Sequence, residues 1–326
     1  MRAVVLSQKG SFDNFDNFQL QDLPVPKPAN GQVLVKIAAA AINPSDIKNA
    51  QGAFPITTYP RVPGRDFSGV VVEAGEDSVD LIGTEVYGTG GQSGFIFNGT
   101  HAEFVVLNAK AVRPKPKNIS FAQAAAVGVQ YLTAYAALVD TAQLQKGESV
   151  LIIGARGAVG SSALQLAKML GASSIYGTYS SAPSHTDASA TPHTPIDLSV
   201  AELPAFKVNV IIDTVGSPSI LSRFIPHLAN FGRYVFLSIQ IKETGPGYKL
   251  SIDGFDFYRR NLRLLGVNTV EWSDLQAAEI LEKLTPGFEQ GELIPPTGIK
   301  EVKLENAKEA YEEQNKGSKN KIVLVS

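Results

Sequence analysis

The stretch LIIGARGAVGSS, Leu151 to Ser162, ends an apolar run at Ile153 and then places glycines at 154, 157 and 160. A loop of this kind holds a phosphate. A nucleoside triphosphate loop would close on Gly-Lys-Ser or Gly-Lys-Thr, because a lysine must reach the phosphates. Here Gly160 is followed by Ser161 and Ser162, so that reading fails. What remains is the diphosphate of a dinucleotide, against the plainer alternative of a tight strand-to-helix turn. The spacing Ala155, Gly157, Gly160 departs from G-x-G-x-x-G only at its first position. Gly157 would let backbone approach the diphosphate, Gly160 would let the helix pack on its strand, and amides at the helix start would carry the anion. Ala155, Arg156, Gly157, Ala158, Val159 and Gly160 are thus the candidate cofactor loop. An NAD site usually places an Asp or Glu about 20 residues on, to hold the adenine ribose. Ile175 to Ser181 reads IYGTYSS, without an acid. A carboxylate would repel the extra phosphate of NADP and small hydroxyls accept it, so Thr178, Ser180 and Ser181 point to NADPH. His185 is either a further donor or a plain loop residue.

Such a loop needs a strand before it and a helix after it. The pattern gives a strand over Ser149–Ile153, a helix from about Ser161 to Leu170 and a strand over Ser174–Thr178. Strands at Val208–Asp213, Tyr234–Ser238 and Leu262–Val267 follow, with a helical stretch around Leu221–Leu228. This alternation predicts an α/β fold, a doubly wound parallel Rossmann sheet. An Ala-rich helix from Phe121 to about Leu144 precedes it, opened by a capping box of Ser120 and Gln123. Another helix runs from Ser273 to about Leu284. The first third differs: short apolar runs at Val33–Ile37, Val70–Val72 and Phe104–Leu107 lie between Gly, Pro, Asn and Asp, the texture of an antiparallel β-rich domain. RPKPKN, Arg113 to Asn118, reads as a linker. The closing strand, Lys321–Val325, is expected to return to the first domain. The boundaries follow as 1–118 with 290–326 for the β-rich domain, and 119–289 for the dinucleotide domain. Ser180 to Pro195 carries three prolines and no Val, Ile, Leu or aromatic residue, and reads as an exposed loop.

A chain of 326 residues, 44% hydrophobic and 18% charged, suits two globular domains. A net charge of −2 without a basic block argues against nucleic acid. With no cysteine there is no disulfide, thiolate nucleophile or cysteine-ligated zinc. The N-terminal apolar run is too short for a signal peptide core, and no apolar stretch is expected to reach the ~20 residues that span a bilayer. The expectation is a cytoplasmic protein without a membrane partner.

Several segments occur in a telling order: NPSDIKNAQGAFP (43–55), YPRVPGRDFSGVVVEAG (59–75), the strand–GARGAVG–helix unit, VNVIIDTVGS (208–217), FGRYVFLS (231–238), RRNLRLLGVN (259–268) and GSKNKIVLV (317–325). Together they resemble the medium-chain dehydrogenase/reductase superfamily, and within it the zinc-free quinone and enone (alkenal) oxidoreductases. The resemblance implies a Rossmann domain beside a GroES-like β-rich domain, and a homodimer. It implies an NADPH-dependent, zinc-independent oxidoreductase that transfers hydride to a quinone or an α,β-unsaturated carbonyl. Zinc members carry a Cys before the Asp of the first motif and Gly-His-Glu in the second. Here stand Asn43 and Gly64, Arg65 and Asp66, and the four histidines include no pair at metal-ligand spacing. No metal is expected.

Hydride addition to an enone or quinone puts negative charge on oxygen, which a positioned donor must stabilise. The resemblance places Asn43, Asp46 and Lys48 beside the nicotinamide, with Lys48 or Asn43 as that donor, and brings Tyr59 or Tyr131 near the substrate. It sets Val215, Phe236, Leu237, Ser238, Gly266, Val267 and Asn268 at strand ends that touch the nicotinamide. Plainer roles stand beside these. Asn43 could shape a turn before Pro44, Asp46 could cap a helical turn, Lys48 could be a solvated lysine, and Arg65 with Asp66 could form an internal ion pair. The family often carries a basic residue on a helix after the second cofactor strand, to hold the NADP phosphate; the polar loop from Ser180 lacks one. Two other functions remain open, an enoyl-thioester reductase and a non-catalytic NADPH-binding structural or regulatory protein. Absence of Tyr-x-x-x-Lys and of G-x-S-x-G argues against a short-chain reductase and a serine hydrolase.

Overall fold

The computed structural model describes residues 1–11, 14–179, 194–200, 202–239 and 251–326. The chain begins with an antiparallel pair, β1 (Arg2–Leu6) and β2 (Phe18–Asp22). The ten-residue β3 (Gln32–Ala41) then leads into a short helix, α1 (Pro44–Ala50). Antiparallel to β3 run β4 (Phe67–Ala74) and β6 (Phe104–Asn108), and the sheet continues from β4 through β5 (Glu85–Gly88) to β7 (Arg113–Pro114). Part of the expected linker is therefore strand, and its Asn118 side chain donates to Phe288 O at 2.8 Å.

Helix α2 (Phe121–Tyr135) opens on the expected capping box: Gln123 N–H donates to Ser120 Oγ at 3.2 Å, and Ser120 N–H to Gln123 Oε1 at 2.9 Å. It continues as wider π-helical turns through Thr141. Its alanines have a purpose. Ala122, Ala125 and Ala126 pack on Ala39, Ala41 and Val323, and only small side chains on both surfaces allow so close an approach. Against the expectation of no such stretch, the 21 residues Phe121–Thr141 are long and apolar enough to cross a membrane; 83% of the apolar window is buried inside the fold, as in a core helix.

The middle of the chain forms a six-stranded, all-parallel sheet in the order β10-β9-β8-β11-β12-β13. Its strands are β8 (Ser149–Ile153), β9 (Ser174–Tyr179), β10 (Thr194–Asp197), β11 (Val208–Asp213), β12 (Leu228–Phe236) and β13 (Arg263–Gly266). Helices α3 (Ala158–Met169), α4 (Pro218–Phe224) and α5 (Gly254–Arg259) connect them. The central strands β8 and β11 read as unbroken apolar runs because both faces are covered; Val150 to Ile153 and Val210 to Ile212 are fully buried. This is the doubly wound order, and the direction of winding reverses between β8 and β11, where such sheets bind ligands.

Helix α6 (Asp274–Glu289), capped by Ser273, is followed by β14 (Ile299–Lys303), α7 (Ala307–Asn315) and β15 (Lys321–Val325). Strand β15 pairs antiparallel with β3, Val323 opposite Ala41, so the C-terminal strand does return to the first sheet. The chain divides into one compact unit of Met1–Val129 with Val270–Ser326 and a second of Gln130–Thr269. The expectation placed the second cut at 289, after α6. Helix α6 belongs with the first unit because its polar contacts are there: the Tyr87 hydroxyl donates to Leu281 O at 3.1 Å, and Arg113 pairs with Glu282 at 3.1 Å. Tyr87→Phe should lower stability by about 1 kcal/mol, seen as a shift of the urea midpoint at unchanged slope; an unmoved midpoint would deny that this contact helps hold α6.

Candidate active site

Strand β8 ends at Ile153, and Gly154 turns the chain with φ +75°. Two bonds tie this turn to the end of β9: Gly154 N–H donates to Thr178 Oγ1 at 3.0 Å, and Ala155 N–H to Thr178 O at 3.3 Å. Gly157 N–H closes on Gly154 O at 2.9 Å, and α3 begins at the next residue. A Cβ at Gly160 would lie 2.2 Å from Gly154 O, so only glycine lets the helix start so near the loop. Among the described residues no side chain caps α3, which leaves its first amides for a ligand. These features suit a dinucleotide's diphosphate. Ala155 is buried, Val159 half-buried, and Arg156, Gly157 and Ala158 are exposed.

Thr178 plays a different part from the one expected of it. It is 1% exposed and its hydroxyl oxygen is taken by Gly154 N–H, so it holds the loop rather than the NADP phosphate. Ser180, Ser181 and His185 lie outside the described residues.

The neighbouring strand ends form the rest of this rim. Asp213, the last residue of β11, is buried; its Oδ1 accepts Val215 N–H at 2.8 Å and Gly216 N–H at 2.9 Å, and its Oδ2 accepts the Tyr234 hydroxyl at 2.8 Å. Burial pushes its carboxyl up, and these donors pull it back. A Cβ at Gly216 would meet Ser238 O at 1.8 Å, which fixes the closeness of the loops after β11 and β12. Leu237 N–H donates to Asp213 O and Val267 N–H to Phe236 O. Val215, Phe236, Leu237, Ser238, Val267 and Asn268 are thus gathered at the carboxyl ends of β11, β12 and β13, on the same edge of the sheet as the glycine loop. Sequence reasoning missed Asp213 as the organiser; the signal was an acid two and three residues ahead of amides it could bind, in a D-T-V-G turn.

Comparison with known proteins agrees with both units. The alcohol dehydrogenase GroES-like domain matches residues 29–117, and the zinc-binding dehydrogenase domain matches residues 158–283. A zinc-type alcohol dehydrogenase-like protein of Schizosaccharomyces pombe is 40% identical over 276 residues, 84% of this chain and 81% of the relative. The chain belongs to the medium-chain dehydrogenase/reductase superfamily. An NADPH-dependent alkenal/one oxidoreductase of Arabidopsis thaliana, chloroplastic, is 32% identical over 306 residues, 90% of this chain and 71% of the relative. The crystal structure of an NAD-dependent alcohol dehydrogenase, 26% identical, superposes with a TM-score of 0.82 over 100% of both chains. The protein is accordingly an oxidoreductase of a family that binds a nicotinamide cofactor.

One of those family names and the name of one relative mention zinc, and the residues at the motif positions do not fit it. Asn43 Nδ2 donates to Asp66 Oδ2 at 2.9 Å, and its Oδ1 accepts the Lys321 ammonium at 2.5 Å. Asp66 Oδ1 accepts Val129 N–H at 2.8 Å. The buried Arg65 donates from Nε to Gly90 O at 2.7 Å and lies in the field of Asp66, Asp46 and Asp274. The Arg65 guanidinium and the Lys321 ammonium already put positive charge beside Asp46 and Asp66, and the neutral Asn43 amide is a poor zinc ligand. Among the described residues no group of three or more His, Cys, Asp or Glu could hold a metal.

The same contacts revise the first motif. The Asn43 amide is engaged on both sides, so Asn43 is a positioning residue and not the carbonyl donor. Asp46 is buried, and its Oδ2 accepts Asn43 N–H at 2.8 Å, closing the first turn of α1 as a cap. Tyr59 packs with Ile42, Ile47 and Tyr311 in the apolar core, and Tyr131 is fully buried. Lys48 remains. It is half-buried on α1 without a hydrogen-bond or ion-pair partner among the described residues, and burial lowers its ammonium from the ordinary range. Sequence reasoning missed Lys321 and His101. His101 Nε2 lies 3.3 Å from Ala41 O, and its Nδ1 lies 2.8 Å from the Tyr311 hydroxyl. A carbonyl can only accept, so Nε2 carries the proton and Nδ1 receives the tyrosine's.

Burial sets two opposed titrations. It lowers His101 from 6.5 to about 4 and raises Asp46 from 3.8 to about 6. As pH falls below 6.5 the unfolded chain protonates His101 and the folded chain does not, so stability is lost. Asp46 runs the other way, since the folded chain takes up its proton first and stability lost above pH 6 is regained toward pH 4. Asp46→Asn removes only the second effect. From pH 6 to 4 the variant should lose stability more steeply than the parent, by about 1.4 kcal/mol per pH unit, in urea unfolding at a series of pH values. Equal slopes would refute this assignment.

Proposed function

We propose that the protein reduces a conjugated carbonyl, a quinone or an α,β-unsaturated aldehyde or ketone, at the expense of NADPH. The observation that carries this reading is Lys48, a half-buried cation on the helix of the first motif with no hydrogen-bond or ion-pair partner among the described residues. A reduced nicotinamide, when bound, supplies the hydride. The glycine loop and the rim from Val215 to Asn268 would hold and orient that group.

Hydride addition to the β-carbon of an enone shifts an electron pair onto the carbonyl oxygen. The resulting enolate then takes a proton at its α-carbon. The Lys48 ammonium is a donor for that oxygen, and its partial loss of water strengthens the interaction as charge develops. An unpaired surface lysine would keep its full hydration and give less. A cation already engaged inside the protein would have its charge spent, as Lys321 does on Asn43 in the field of Asp66 and Asp46. The Arabidopsis relative's name, an NADPH-dependent alkenal/one oxidoreductase, supports the substrate class and the cofactor together. The lack of an acid from Ile175 to Ser181 supports the cofactor separately.

Turnover of a 2-alkenal, a vinyl ketone and a simple quinone, followed by nicotinamide absorbance, tests the reading. At least one should be reduced. Lys48→Met should lower kcat by about 10²–10³-fold, the usual cost of losing one oxyanion donor. Lys48→Arg should retain part of the activity. Because burial lowers the lysine, kcat should fall on the alkaline side at a pH below that of an ordinary lysine, as the ammonium loses its proton. Unchanged kcat in Lys48→Met would remove the proposed donor, and NADPH binding without turnover of any acceptor would favour a binding protein.

A further inference from the structure

We infer that Arg156, inside the glycine loop, is the residue that recognises the 2′-phosphate of NADPH, and that Asp197 on the neighbouring strand opposes it. This inference rests on the NADPH reading above and assigns it to one side chain.

The argument begins with the tie between the loop and β9. Thr178 receives both Gly154 N–H and Ala155 N–H, so the backbone at 154–155 is pinned to the carboxyl end of β9. Arg156 follows directly and is exposed. In a doubly wound sheet the adenine ribose lies over the end of this second strand, which is why cofactor choice is made there, by an acid for the ribose hydroxyls or by a nearby arginine for the extra phosphate. A second observation places the guanidinium's charge on that side of the loop. Burial raises the Tyr179 hydroxyl, and the Arg156 charge acts on that hydroxyl to ease the rise. Tyr179 is the last residue of β9, so the Arg156 charge acts at the strand end where the ribose would be held.

Arg156 is the only ionisable residue from Ala155 to Gly160. The other five positions can offer a ligand backbone or small apolar groups. A grip on the diphosphate by amides is shared by NADH and NADPH. A guanidinium adds two parallel N–H donors matched to a phosphate and absent from a ribose hydroxyl's needs. The basic residue expected on a helix after β9 is thus supplied from the other side, by the loop.

An acid on the neighbouring strand stands against it. Asp197, at the end of β10, is the register partner of Tyr179. Its Oδ1 accepts Ser199 N–H at 2.8 Å, and that bond keeps its carboxylate below the ordinary range. It is ionised at neutral pH and one strand away from the same ribose position. A carboxylate there repels a 2′-phosphate and favours a free diol. Among the described residues, Arg156 favours the phosphate and Asp197 opposes it.

The test separates this assignment from the NADPH reading. Binding of 2′,5′-ADP and of 5′-AMP to the whole protein is measured by calorimetry, since the two differ only in the 2′-phosphate. The parent protein should prefer 2′,5′-ADP. Arg156→Gln should reduce that preference by about 10- to 100-fold, the loss expected for hydrogen bonds to a charged group. Arg156→Lys should keep part of it, and Asp197→Asn should increase it. The ratio of kcat/KM for NADPH to that for NADH should move in the same order. A parent that prefers 5′-AMP overturns the NADPH reading itself. A parent that prefers 2′,5′-ADP, with Arg156→Gln unchanged or weakened equally toward both ligands, overturns only the assignment to Arg156.

Discussion

A buried ammonium organises the first motif of this protein, from Asn43 to Lys48. Lys321, at the start of the closing strand, donates to the Asn43 side chain and sits in the field of Asp46 and Asp66. Two cations, Arg65 and Lys321, and two carboxylates are thus enclosed together with the Asn43 amide. Each charge is costly alone and tolerable in this company. Removing one member of such a group typically costs about 3–5 kcal/mol, because the others stay behind uncompensated. The arrangement joins β15, the turn before α1 and the start of β4 in one polar knot. It fixes where α1 begins, and so where Lys48 stands. The contrast between the two lysines is the chemical point: Lys321 is engaged by Asn43, and Lys48 has no partner among the described residues.

Among the described residues the dinucleotide unit positions its rim by other means. Its rim is held by backbone donors, a threonine hydroxyl and one buried carboxylate. Glycines at 154, 160 and 216 set distances that no side chain would tolerate. The backbone amides at the start of α3 suit an anionic ligand whose charge must be shared among many weak donors.

Local pattern revealed what local forces decide. Strands β8 and β11 were legible because central parallel strands are apolar on both faces, and the glycine loop because its spacing serves a single geometry. The capping box at Ser120 was legible for the same reason; the one at Ser273 emerged only in the structure. What sequence concealed was long-range. The role of Thr178 depends on a loop 24 residues earlier, and that of Asn43 on a lysine 278 residues later. Helix α6 looked like a continuation of the dinucleotide domain because its apolar face does not say which sheet it covers. Tyr87, Arg113 and Asn118 decide that. Lys48 was legible as a lysine at a motif position; only the structure distinguishes it from a solvated or paired one.

The imidazole of His101 has a consequence of its own. Both ring nitrogens are occupied, one giving its hydrogen to a carbonyl and the other receiving one from a phenol. Such a ring has no lone pair left to offer, so it is poor material for acylating reagents or for a chelated transition metal, although it lies close to Asp66. Histidine at this place is a spacer that tethers α7 to β3 through its edges, and its chemistry as a base has been used up in building the scaffold.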